Sequence, residues 1–161
     1  MKRLDLNWGG HKDGNTFVIP PSLVKSDKSD FLEQPEIAAM RTGVCVTRDA
    51  DGYVKVVDTA GQIVMGIISF GFIDRLSTRE AANAGTNDSG EGLTVVNGRG
   101  SITLPGDMFS GDMSKVNSGV KVYVALSNGK PTTDVKLSDA SLEIGYISEV
   151  ENSNYTIEIK L

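Results

Sequence analysis

One short pattern occurs twice in this chain and narrows what it can become. Val64-Met65-Gly66-Ile67-Ile68-Ser69 and Glu143-Ile144-Gly145-Tyr146-Ile147-Ser148 each set a glycine inside an apolar run, with a serine after two further residues. Upstream of each stands a Gly-Val-x-Val opening, Gly43-Val44-Cys45-Val46 and Gly119-Val120-Lys121-Val122. The openings lie 76 residues apart and the inner glycines 79 apart, with a turn glycine between each pair, Gly52 and Gly129. A glycine inside an apolar, β-branched run suits a bulge, a bend or a close approach of two backbones, because a Cβ would be in the way there. Two copies are too few for a solenoid, which needs about three. Paired small barrels, or one barrel or sandwich built from two related β units, fit the pattern.

The flanking sequence agrees. Val44 and Val46 lead through Asp49-Ala50-Asp51-Gly52 to the alternating run Tyr53-Val54-Lys55-Val56-Val57, which reads as a hairpin. Residues 63–72 form a nearly continuous apolar run, expected to be a strand buried on both faces. Residues 93–96 and 101–104 flank Asn97-Gly98, and Ser127-Asn128-Gly129-Lys130 follows the second opening. Asn-Gly tolerates the positive φ of a primed turn, so the first site predicts a hairpin and the second a turn. Residues 108–119 read as an irregular crossing and residues 131–141 as a loop. Tyr155, Ile157, Ile159 and Leu161 alternate with Thr156, Glu158 and Lys160, which predicts a closing strand with one buried face. Two short helices fit, one over 35–40 behind Pro35 and one from the capping-box spacing Ser77-Thr78-Arg79-Glu80 to Gly85. The expectation is a mainly β chain with at most one or two short helices. Its β domain would span residues 43–161 and be made of two units, about 43–104 and 119–161.

Residues 1–42 read differently. Trp8-Gly9-Gly10-His11-Lys12-Asp13-Gly14-Asn15 is rich in turn formers, and Thr16-Phe17-Val18-Ile19 is a short strand stopped by Pro20-Pro21. The segment has no core pattern of its own, yet it carries dispersed apolar anchors. Leu4, Leu6, Trp8, Phe17, Val18, Ile19 and Phe31 make it an extended N-terminal arm that would order on a partner, and they are the candidate interface residues.

Composition removes several functions. The net charge of −5 and a pI near 4.9 argue against nucleic-acid binding, which needs Lys and Arg to neutralise phosphates. Cys45 is the one cysteine, so no intrachain disulfide forms, and its apolar setting reads as a buried small hydrophobe. No apolar run approaches the length of about 20 residues that a membrane span requires. The start, Met1-Lys2-Arg3-Leu4-Asp5, has no hydrophobic signal region, and synthesis in a cytoplasm is expected.

The search for chemistry returns no catalytic, cofactor-binding or metal-binding residues. His11 is the one histidine and lies in the turn-rich arm. One Cys and one His do not make a zinc set. Asp49-Ala50-Asp51-Gly52 lacks the third ligand and the terminal Glu of a calcium loop. Gly98-Arg99-Gly100 has strands on both sides, whereas a phosphate loop needs a helix after it. At 6% aromatics there is little material for a sugar-stacking platform. The expectation is a non-enzymatic protein.

The two Gly-Val-x-Val units, their Val-Met-Gly-Ile-Ile-Ser and Glu-Ile-Gly-Tyr-Ile-Ser strands, and the intervening Thr94-Val95-Val96-Asn97-Gly98-Arg99-Gly100-Ser101-Ile102 together resemble the head decoration, or capsid cement, proteins of tailed bacteriophages. The resemblance covers residues 43–161. It implies a β-rich, trimeric structural protein of the virion that sits on the outer surface of the capsid, with the major capsid protein and neighbouring copies of itself as partners. It implies no catalytic residues. Another virion β module, in the tail or as a minor capsid component, is the nearest alternative. A small carbohydrate-binding or hydrolytic β domain is a more distant one.

Overall fold

The computed structural model describes residues 6–8, 18–19, 41–50, 54–70, 91–92, 94–96 and 98–161. The chain is mainly β. In order the strands are β1 (Leu6–Trp8), β2 (Val18–Ile19), β3 (Cys45–Arg48), β4 (Val54–Val56), β5 (Gly66–Phe70), β6 (Glu91–Gly92), β7 (Thr94–Val96), β8 (Arg99–Pro105), β9 (Lys121–Val124), β10 (Pro131–Thr132), β11 (Glu143–Glu151) and β12 (Asn154–Lys160). Three single 3-10 turns, at Gly106–Met108, Val135–Leu137 and Ala140–Leu142, are the helical elements among the described residues. Both sequence-predicted helices, over 35–40 and 77–85, lie outside the described residues.

Two five-stranded sheets result, and their orders correspond. The first runs β1-β7-β5-β3-β4 and the second β8-β12-β11-β9-β10, with every strand antiparallel to its neighbours. The repeat seen in the sequence is therefore a repeat of topology. Gly66 faces Val46 in the first sheet as Gly145 faces Val122 in the second. Gly43 N–H donates to the Ile68 carbonyl at 2.7 Å, and Gly119 N–H donates to the Ile147 carbonyl at 2.7 Å. The return bonds correspond too, from Ile68 N–H to Val44 and from Ile147 N–H to Val120. Gly43 and Gly119 share a positive φ, +87° and +89°, so each opening turns through a conformation that glycine adopts without steric cost.

Several features depart from the sequence expectation. The halves meet at the turn at Gly98 and not after residue 104, because β8 pairs along its length with β12. That turn is a corner between sheets, not the expected hairpin: β7 stays in the first sheet and β8 enters the second. The apolar run after residue 62 becomes strand only at Gly66, and Ile63 is 76% exposed. The bulges fall beside the inner glycines, not on them, where register shifts across Ser69 in the β5–β7 pair and across Ser148 in the β11–β12 pair. A further shift across Ile144 precedes Gly145 in the β11–β9 pair.

Each sheet turns its aliphatic face to one shared core. Cys45, Val57, Ile67 and Val96 from the first half pack with Ile102, Leu104, Val122, Val124, Ile144, Ile147, Ile157 and Ile159 from the second. Ile67 and Ile68 are both fully buried, so β5 is covered on both faces as the sequence predicts. The alternation of β12 holds for Tyr155, Ile157 and Ile159, but Leu161 lies past the strand end and is exposed. Burial pushes the Cys45 thiol well above its ordinary range, which leaves it a small hydrophobe.

The crossing between β8 and β9 closes the core of the second half. Phe109 and Met113 are buried on it, and Phe109 meets Tyr155 edge-on with ring centroids 5.6 Å apart. The Tyr155 hydroxyl, itself buried, donates to the Met113 carbonyl at 2.7 Å. The expected turn at Asn128-Gly129 closes a hairpin, because β10, in a stretch expected to be loop, returns along β9. Its tip ties the halves together: the Gly129 carbonyl accepts from Cys45 N–H at 2.8 Å.

Candidate functional site

The outward faces of β8, β12 and β11 carry the polar residues of the second half. Cross-strand neighbours share a face, and the register pairs Arg99 with Lys160, Ser101 with Glu158 and Thr103 with Thr156. The Thr103 and Thr156 hydroxyls lie 2.9 Å apart, and the Ser148 hydroxyl donates to the Thr156 carbonyl at 3.3 Å. These residues line one side of an open groove of about 1080 Å³. Residues 101–104 of β8 and Ser148, Glu149, Glu151, Asn152, Asn154 and Thr156 of the β11–β12 hairpin supply most of its wall, and Thr42 and Ser69 of the first half complete it.

Two consequences of the repeat meet there. Ser69 and Ser148 are the bulge residues of the equivalent strand in each half, and both line the groove. A bulge frees one residue from the ladder and re-aims its side chain. The described lining residues thus present hydroxyls, carboxamides and two exposed carboxylates, Glu149 and Glu151, beside the aliphatic Ile102 and Leu104, and none of them is aromatic. Such a surface can exchange hydrogen bonds with a polar partner. Among the described residues, no group of three or more His, Cys, Asp or Glu could hold a metal ion, and no helix is long and apolar enough to cross a membrane.

A second, smaller hollow of about 490 Å³ lies at the other end of the same face, lined by Arg99, Tyr146, Glu158, Ile159, Lys160 and Leu161. The Lys160 ammonium sits 4.8 Å from the centre of the Tyr146 ring, a cation–π contact. Nearby, Lys121 pairs with Glu143 at 2.7 Å, and that bond holds the lysine above its ordinary pKa. The depressed carboxyls on the described surface are explained locally. Asp58 is lowered first by its bond from Lys55 and then by Thr59. Asp112 is lowered by Ser114 and Asp139 by Ser141, each a turn carboxylate accepting from the residue two ahead.

Of the arm residues named from the sequence, Leu6 and Trp8 stand on β1 and Val18 and Ile19 on β2. β1 pairs with β7 as Leu6–Val96, Asn7–Val95 and Trp8–Thr94, and β2 pairs with β6. Leu4, Phe17, Phe31 and His11 lie outside the described residues. β1 thus fills in the first sheet the edge that β8 fills in the second, a role that three residues of sequence could not reveal. None of the groove residues is named from the sequence: Ser69 and Ser148 stand out only as part of the repeated strand, and nothing local marks Thr103, Thr156 or Thr42 as their neighbours. No protein-family model matches the chain, and no curated protein or solved structure matches it.

Proposed function

We propose that this chain is a non-enzymatic capsid decoration protein, which binds the outer surface of a tailed-phage head as a trimer and stabilises the shell by bridging its subunits. The observation that carries the reading is the agreement between two levels. The repeated Gly-Val-x-Val and Gly-x-Ile-Ser strands that resemble the decoration proteins occupy equivalent central places in two matching sheets. The pattern is therefore a property of the fold and not a coincidence of short β sequences. A rigid, duplicated β body with a polar outward face is suited to binding a lattice. A ligand that binds only the assembled shell stabilises it by mass action. Contacts repeated by symmetry make weak individual interfaces strong together.

The test is titration of the purified protein onto bare expanded phage heads, reading occupancy and the melting of the shell. Saturable binding that raises the shell's melting temperature supports the proposal, and the absence of saturable binding sinks it. Copies per purified particle separate it from a tail or minor capsid role, which needs far fewer copies than a protein decorating the whole lattice.

A further inference from the structure

The duplication lets each face of one sheet be compared with the same face of the other. Cys45, Ile67 and Val96 form a row across β3, β5 and β7. Lys121, Tyr146 and Glu158 form the corresponding row across β9, β11 and β12. In the first half the row is fully buried and belongs to the shared core. It shares that core with Val122, Ile147 and Ile157, which alternate with the second row and so lie on the opposite face of their sheet. The two halves are therefore stacked front to back. The row of the second half faces outward, with the Lys121 side chain 61% exposed.

An outward face needs only to be polar, and this one carries more than that. Arg99 and Lys160 stand directly opposite each other at its end. Leu161 N–H donates to the Gly98 carbonyl and Gly106 N–H to the Ser153 carbonyl, so the hydrogen-bonded pairs of this ladder fall on the even-numbered residues of β8. Arg99 and Lys160 are thus a non-hydrogen-bonded pair, the kind whose side chains lie closest, and like charges placed so destabilise a sheet. No ion pair among the described residues engages either of them, and the nearby Lys121 is taken by Glu143. Both are exposed and line the hollow of about 490 Å³ with Tyr146, where Glu158 is the one side-chain carboxylate among the described lining residues. Lys160 is held over the Tyr146 ring, 4.8 Å from its centre. Two adjacent cations beside an aromatic wall are unfavourable for the chain alone and favourable for a bound anion.

We propose that Arg99, Lys160 and Tyr146 form a binding site for a carboxylate-rich segment of a partner protein. The planar guanidinium of Arg99 can hold a carboxylate through two parallel N–H···O bonds, which an ammonium cannot. Lys160 adds a second charge that is already positioned over the ring, so less side-chain freedom is lost on binding. Tyr146 supplies a flat, half-buried wall, and tyrosine and arginine are among the side chains that most often anchor interfaces. Charge selects the ligand. The pair sits on a chain of net charge −5, which repels a nucleic-acid polyanion, while two adjacent cations attract a short acidic segment at contact range. The inference stands apart from the decoration reading, because it needs no shell and is tested without one.

The experiment titrates the isotope-labelled full chain at low salt with a hexaglutamate peptide and follows the backbone amides by NMR. Hexalysine and hexathymidylate are the comparison probes. Hexaglutamate is expected to saturate with a Kd of about 1 mM or below, to move the amides of Arg99, Tyr146 and Lys160, and to bind more weakly as salt is raised. Arg99→Glu turns the like-charged pair into an oppositely charged one. It is expected to melt at or above the parent's temperature and to bind hexaglutamate about tenfold more weakly or worse. Absence of saturation by hexaglutamate, equal shifts with hexalysine, or tighter binding of hexathymidylate overturns the proposal. So does parent-like binding by Arg99→Glu. A Tm for Arg99→Glu several degrees below the parent's also overturns it, because Arg99 would then serve the fold and not a ligand.

Discussion

Replacing Gly145 by alanine should damage this fold more than its modest chemistry suggests. Gly145 sits mid-sheet between Val122 on β9 and Ile159 on β12. A Cβ built there would overlap the Glu158 carbonyl oxygen, with the Glu158 carbonyl carbon at 2.9 Å and the Ile159 Cα at 3.2 Å. The obstacle is backbone on a paired strand, not the free end of a side chain, so relief requires β11 and β12 to part. Overpacking a close-packed core costs about 1–3 kcal/mol, and a backbone obstacle belongs at or above the top of that range. For a chain of this length 1 kcal/mol is about 2–4 °C in Tm, so a loss of about 3 kcal/mol lowers Tm by about 6–12 °C. Gly119→Ala is the control. Its φ is +89°, but nothing lies within 4 Å of the added Cβ, so it carries only the left-handed backbone penalty of about 1–2 kcal/mol. Urea unfolding and calorimetry of the three proteins measure the difference. A Gly145→Ala protein as stable as Gly119→Ala would refute the argument that close backbone approach explains the inner glycine of the second half.

Two further outcomes follow from buried and exposed contacts. Tyr155→Phe removes one of two donors to the Met113 carbonyl, which keeps the Val116 N–H at 3.1 Å, so denaturant titration should show a loss of about 0.5–1.5 kcal/mol; no loss would mean that the crossing segment is not held by this bond. Asp58 has its folded pKa depressed, chiefly by Lys55, so its stabilisation is present above the ordinary Asp value of about 3.9 and disappears as pH falls through the depressed value. Both partners are 47% exposed, so solvent screening keeps the contribution to about 0–1 kcal/mol. Asp58→Asn should therefore cost a little stability at pH 7 and nothing at pH 2, and a gap that widens on acidification would reverse the assigned sign.

Much of the architecture was legible because it is written in short-range periodicity. The alternation of 155–160 declared which face of β12 is buried, since side chains in a strand alternate whatever the strand pairs with. Cys45 read as core from its apolar neighbours and is fully buried. Ile63 did not follow, because hydrophobicity alone does not say where a strand begins, and the ladder starts only where Gly66 faces Val46. The groove was largely illegible. Ser69, Thr103 and Thr156 are far apart in the chain, and their proximity exists only once β8 has joined β12 and the two bulges face the same hollow.

The two Asn-Gly sites separate what sequence determines from what tertiary structure decides. Sequence determined that the chain reverses or turns a corner at each, because glycine there takes positive φ, +66° at Gly98 and +70° at Gly129. It also determined that the chain is β and that it repeats itself. It did not determine what the following strand does. After Gly129 the strand returns along β9, while after Gly98 it leaves for the other sheet. The glycine φ is of the same kind at both places. The choice belongs to long-range pairing: β7 is already flanked by β5 and β1, so β8 finds its open edge only on β12, where Ile102 and Leu104 also reach the shared core.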